Sequence, residues 1–241
     1  ASLGATSAIL LGIGVSLGPN FVGIAAFIGA FAISLAVLFI SNLGGRSNSM
    51  KLLLAGMALS AVCGAFSSFI VYFANNKEGM QTIAYWMMGS LAGAKWGELA
   101  IIAPIIMASV IFFWTQSRVL NLMLLGDESA ITMGTDLHAY RQWYLLISSL
   151  IVGFAVYAAG MIGFVGLIIP HVIRMFTGPD HKRLIPVSAL TGAIFLVICD
   201  GLCRIIIPHT ELPIGILISM IGAPSFIYLM IKKTYGFGGN D

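Results

Sequence analysis

Apolar residues run along this chain in eight long blocks, each broken from the next by a short polar or glycine-rich stretch. A bilayer core about 30 Å thick takes roughly 20 apolar residues at helical rise. The blocks that meet or approach that length are Ser2–Leu17, Phe21–Leu43, Met50–Ala74, Gly97–Gln116, Trp143–Ala159, Ile162–Phe176, Leu184–Ile207 and Leu212–Ile231. They predict an all-α polytopic membrane protein of about eight transmembrane helices, forming one membrane domain over residues 1–241. Asn75–Lys95 carries a further apolar and aromatic run, Ile83–Leu91, that is too short to cross. It predicts a short interfacial or re-entrant helix on the outer side, with Tyr85 and Trp86 at headgroup depth.

The longest polar interruption, residues 121–141, predicts an elbow of short helices outside the apolar spans. Asp127 and Glu128 stand where a helix N-terminus favours negative charge. Gly134 suits the left-handed turn that ends a helix, and Thr135 or Asp136 can cap the next one. Such a polar segment belongs in water, gripped by a partner protein.

Composition agrees with the pattern: 59% of residues are hydrophobic, 9% are charged and mean hydropathy is +1.00. Soluble domains are about one-quarter charged, so that class is excluded. Of the twelve lysines and arginines, Arg46, Lys51, Arg118, Arg141, Arg174, Lys182, Arg183, Lys232 and Lys233 fall on one side of the eight-span arrangement. Lys77, Lys95 and Arg204 fall on the other. The richer side marks the cytoplasm, which places both chain ends and the elbow there. Cys63, Cys199 and Cys203 lie in apolar runs and read as small core residues.

Chemistry-bearing residues are sparse. Asp200 and Arg204 are one helical turn apart at the outer end of the seventh span, where they can pair with each other; Arg204 can alternatively meet an acidic group on a docking protein. Gly160, Gly163 and Gly166 recur every three residues before Pro170, a pattern suited to close helix packing or to substrate contact. His171 and His181 fall on the inner side and His209 on the outer, so they do not form one metal cluster. No metal site and no catalytic residues are expected, and the chain has no phosphate-binding P-loop motif. A secondary transporter or channel is the rival reading; it calls for an ionisable residue at mid-membrane, and none stands at the centre of a predicted span. An intramembrane enzyme using His171 or Asp180-His181 is a second rival.

The segments AAGMIGFVGLIIPHVIRMFTGPDHKRLIP (Ala158–Pro186) and ELPIGILISMIGAPSFIYLM (Glu211–Met230) closely resemble FecCD-type permeases, the membrane subunits of ABC importers for iron–siderophores, haem and cobalamin. KLLLAGMALSAV, IAYWMMGSL and LGDESAITMGTD follow that family's order as well. The resemblance implies ten spans per subunit, so this chain is expected to lack the first two, and it opens on Ala1 inside an apolar run. It also implies ATPase subunits beneath, carrying ATP and Mg, a substrate-binding protein above and a second permease copy or close paralogue beside, in the cytoplasmic (inner) membrane. The expected setting is membrane lipid; no bound cofactor and no nucleic-acid partner is expected. By resemblance, Leu125, Gly126, Asp127, Glu128, Ser129, Ala130, Met133, Gly134, Thr135 and Asp136 form the ATPase-coupling helices. Arg204 becomes the outer arginine that docks the binding protein, and Ser47, Asn48 and Ser49 belong to a cytoplasmic gate.

Overall fold

In hydrocarbon a backbone amide must bring its hydrogen-bond partner with it, so each apolar block closes its bonds within a helix. The computed structural model describes residues 1–12, 20–43, 49–74, 76–207 and 211–232. Its helices are α1 (Ser2–Leu11), α2 (Phe21–Asn42), α3 (Ser49–Ala74), α4 (Lys77–Met88), α5 (Trp96–Thr115), α6 (Ser117–Met123), α7 (Asp127–Thr132), α8 (Leu137–Ala159), α9 (Val165–Thr177), α10 (His181–Ile206) and α11 (Ile214–Lys232). Each predicted block corresponds to one of them. Five, α2, α3, α5, α8 and α10, are long and apolar enough to cross a membrane; α1, α9 and residues 214–229 of α11 are shorter apolar helices.

Several boundaries differ from the sequence reading: α1 ends at Leu11, with residues 13–17 of its block outside the described residues, and α10 starts at His181, ahead of Leu184. Residues 160–164 are not helical, so the sixth block yields only the 13-residue α9, about 20 Å long at 1.5 Å per residue. Gly160, at φ +70°, ends α8, and Phe164 holds φ +65°, which is rare outside glycine. Gly160, Gly163 and Gly166 therefore share no helical face. Only Gly160 sits at a close approach, whereas Cβ atoms on Gly163 and Gly166 would meet open space. Pro170 lies inside α9 as expected. The fifth span also starts earlier than expected, at Leu137, and absorbs what read as the elbow's second helix.

Packing is set by small residues facing large ones. α2 lies along α8, where Phe27 meets Phe154 with ring centroids 4.9 Å apart and covers Gly153. α1 presses on α2 at Gly4, where a Cβ would strike the Ala25 carbonyl. Asn20 ties three helix ends together: its Nδ2 donates to Glu98 Oε1 at 2.7 Å and to the Tyr157 hydroxyl at 3.0 Å. The best-buried core joins Cys199 and Cys203 of α10 to Ile214 and Ile218 of α11, with Phe164 and Phe195 around it. These two thiols are the small core residues the sequence suggested; Cys63 is half-buried.

α4 is the short helix expected within Asn75–Lys95. The Asn76 side chain caps it by accepting the Gly79 N–H at 3.0 Å, and Tyr85 is exposed on it. Its C-terminal end enters a junction of three glycines. Ser90 N–H donates to the Ala159 carbonyl at 2.9 Å, and a Cβ on Gly160 would lie 2.7 Å from the Trp86 carbonyl oxygen. A Cβ on Gly215, in the first turn of α11, would strike the Met88 carbonyl. Because the obstacle is backbone, no rotamer change relieves it. Gly215→Ala is expected to cost about 1–3 kcal/mol by overpacking. In contrast Gly201→Ala on α10, which meets open space, should be neutral or stabilising by up to about 1 kcal/mol, because glycine is the weaker helix former. Thermal unfolding of the detergent-solubilised variants checks the contrast.

Candidate functional site

The elbow is built by two glycines and one carboxylate. α5 passes into α6 at Gln116, and α6 ends in a tight turn in which the Leu124 and Leu125 N–H groups bond back to the Asn121 and Leu122 carbonyls. Gly126 follows at φ +89°, ψ +166°, a region essentially reserved for glycine. Its carbonyl accepts the Ala130 N–H at 3.2 Å and starts α7, with Asp127 and Glu128 in the first turn. At the other end Gly134, at φ +77°, closes a Schellman motif: Gly134 N–H bonds the Ile131 carbonyl at 2.9 Å and Thr135 N–H the Ala130 carbonyl at 3.0 Å. Of the two capping candidates it is Asp136 that caps α8, its Oδ1 accepting the His138 N–H at 3.0 Å. Gly134 therefore joins the short α7 to a long span, and the elbow's other short helix is α6, on the N-terminal side.

The root of the elbow is fixed to three spans. Tyr144 of α8 donates its hydroxyl to Gln116 Oε1 at 3.1 Å. Its ring sits within 5.5 Å of Phe113 and 6.4 Å of Phe112, both on α5. α6 is held to the start of α10: Asn121 Nδ2 donates to Asp180 Oδ1 at 2.8 Å and Asn121 Oδ1 accepts the His181 N–H at 2.9 Å. Trp114 Nε1 donates to the Lys182 carbonyl at 3.0 Å. Asp180 also caps α10 by accepting the Lys182 N–H at 3.0 Å. The Asn121 amide first, then the Lys182 N–H, holds the Asp180 carboxyl below its ordinary range. This cap is thus complete at neutral pH and weakens only as pH falls through that lowered value.

The elbow exposes large apolar side chains beside polar ones such as Thr132 and Asp136. Ala130 is fully buried and anchors α7, while Leu124, Leu125, Ile131 and Met133 are 48%, 57%, 56% and 58% exposed. These four side chains stand exposed on a turn set by its caps. Sequence reading named Leu125 and Met133 but missed Leu124, Ile131 and the Asn121 tie. The tie joins residues about 60 positions apart; the turn Gly178-Pro179 followed by an Asp signals the start of α10 but not its partner on α6.

Arg204 pairs with Asp200, its Nε donating to Oδ2 at 2.8 Å, and its Nη1 lies 4.0 Å from Glu211 Oε1. The side chain is half exposed, with Asp200 on its own helix and Glu211 both at ion-pair distance. Of the three residues expected at a gate, Ser47 and Asn48 lie outside the described residues, and Ser49 is exposed at the start of α3.

Residues 1–232 match the family model described as the FecCD transport family. The chain belongs to the FecCD transport family. Among FecCD relatives, the hemin transport system permease protein HmuU of Yersinia pestis is 39% identical over 210 residues, covering 87% of this chain and 62% of HmuU. The cobalamin import system permease protein BtuC of Halobacterium salinarum is 39% identical over 230 residues, covering 95% and 60%. The vitamin B12 import system permease protein BtuC of Salmonella typhi is 36% identical over 234 residues, covering 97% and 70%. This FecCD chain thus spans about 60% of the length of the first two. A solved inward-facing structure of a metal-chelate type ABC transporter superposes with a TM-score of 0.82 at 31% identity, over 96% of this chain and 72% of that one.

The Gly126 geometry gives a local test. Gly126→Ala places a Cβ in a glycine-only conformation at a cost of about 1–3 kcal/mol. Amide exchange over residues 127–132 should speed up about tenfold, with little change in the thermal midpoint.

Proposed function

We propose that this chain is the membrane-spanning permease subunit of an ATP-driven ABC importer, with the elbow as its seat on the ATPase. The observation that carries this reading is the apolar crown of Leu124, Leu125, Ile131 and Met133 on a doubly capped turn that emerges from three spans. Lipid cannot accommodate the polar backbone of such a turn, and water leaves its apolar side chains uncovered. A protein cleft satisfies both. The ATPase binds ATP and Mg, and closing on nucleotide displaces the elbow, biasing a two-state arrangement of the spans.

The cargo class is an iron–siderophore or similar metal chelate such as haem or cobalamin, by analogy with the relatives' transport systems. A substrate-binding protein delivers it to the outer face, where Arg204 is half exposed and offers its guanidinium to a carboxylate. α3 supports a partner within the membrane. Ala55 is its buried residue, while Met50, Leu53, Met57, Phe66, Phe69 and Phe73 are exposed along its length. A second permease copy or close paralogue covers part of that surface and lipid the rest. Lysine and arginine placement supports a cytoplasmic elbow and a location in the cytoplasmic (inner) membrane. Ser49, at the start of α3, takes the gate role together with Ser47 and Asn48 just before it in the sequence.

The test is co-purification of the tagged permease with its ATPase. Ile131→Asp combined with Met133→Asp should leave the thermal midpoint of the permease unchanged, because both side chains are exposed. Burying two carboxylates in the contact should weaken ATPase binding about 30-fold or more, as for loss of an interface hot spot. Undiminished binding by the double variant would remove the elbow from the contact.

A further inference from the structure

Asn121 uses both ends of its amide on another span. Its Nδ2 donates to Asp180 Oδ1 at 2.8 Å, while its Oδ1 accepts the His181 N–H at 2.9 Å and lies 2.7 Å from His181 Nδ1. A short residue that donates on one side and accepts on the other is what this position requires, and aspartate cannot donate. The N–H groups of residues 181–184 are all engaged at this point: His181 by Asn121, Lys182 by the Asp180 carboxylate, Arg183 and Leu184 by the Asp180 carbonyl. A single side chain of α6 therefore holds the capping carboxylate of α10 and its first N–H, while Asp180 itself engages the next three. α10 is 26 residues long and carries the Asp200–Arg204 pair near its far end. The covalent path from the elbow leads elsewhere, through Gly134 into α8.

We propose that Asn121 is a positioning residue for coupling: it makes the first turn of α10 move with the elbow, so that a displacement of α6 and α7 reaches α10 as well as α8. This rests on the ATPase-seat reading. It assigns to the polar tie a role that burial does not supply, since α6 and α10 meet at a partly exposed surface. The tie fixes direction as well as distance, because three donor–acceptor contacts converge on one planar amide.

Hydrogen exchange of the permease–ATPase complex, with and without ATP and vanadate, tests the proposal on Asn121→Asp, Asp180→Asn and the double variant. In the wild type, nucleotide trapping should alter exchange at both residues 137–141 and residues 181–184. Asn121→Asp sets two carboxylates against each other and should cut the response at residues 181–184 about tenfold while leaving that at residues 137–141. Asp180→Asn keeps an acceptor for both donors and should be nearly silent. The double variant exchanges the roles, with the amide now at position 180 donating to the carboxylate now at position 121, and should restore the response to within about twofold.

A full response at residues 181–184 in Asn121→Asp, or failure of the folded double variant to restore it, overturns the proposal. A wild type that responds only at residues 137–141 also overturns it and leaves the ATPase-seat reading intact. A wild type that binds no ATPase overturns that reading first and this role with it. Equal melting midpoints for wild type and variants separate lost coupling from lost folding.

Discussion

Hydrocarbon offers no hydrogen bonds, and this single constraint decides where the chain can turn. Each block closes its backbone bonds inside a helix, and every turn between blocks must satisfy its own amides at a helix end. The sites of those turns are therefore the sites of caps: Asn76 on α4, Asp136 on α8 and Asp180 on α10 each place a side-chain oxygen on a backbone N–H. Where side chains do not suffice, glycine supplies the geometry, as at Gly126 and Gly134. The elbow is the place where this necessity has been elaborated into a surface.

Its construction explains how a six-residue helix holds a defined position. α7 is far too short to be stable alone, since helices below about 12 residues are marginal in water. Its neighbours supply what its length does not: the Gly126 carbonyl at the start, the Schellman pair at the end and a fully buried Ala130 beneath. α6 is secured in turn by the Asn121 tie and α5 by the Tyr144 aromatic cluster. The result is a short lever whose root touches α5, α8 and α10, and whose tip presents apolar side chains.

Much of this was legible because hydrophobic blocks, glycines and caps are local signals. Gly134 and Asp136 announced the end of α7 and the start of α8 from residue type alone. The sequence reading separates α8 into a short elbow helix and a span because His138, Arg141 and Gln142 interrupt the hydropathy, yet the helix that Asp136 caps runs through them unbroken. The three-glycine pattern misled for a different reason. Spacing implies a shared face only within one helix, and Gly160 ends a helix rather than continuing it. The real close approach, among Gly89, Gly160 and Gly215, joins residues far apart in the chain. The Asn121 tie was illegible for the same reason: a single asparagine carries no local mark of a partner 59 or 60 positions away.

The central claim is that the elbow, and not the opposite face, is where the ATPase sits. A photo-reactive residue placed at Ile131 or Met133, compared with one at Tyr85 on α4, tests it directly in membranes containing the ATPase. Adducts to the ATPase from the two elbow positions and none from Tyr85 are the expected result. Adducts from Tyr85 with none from Ile131 or Met133 would contradict the account.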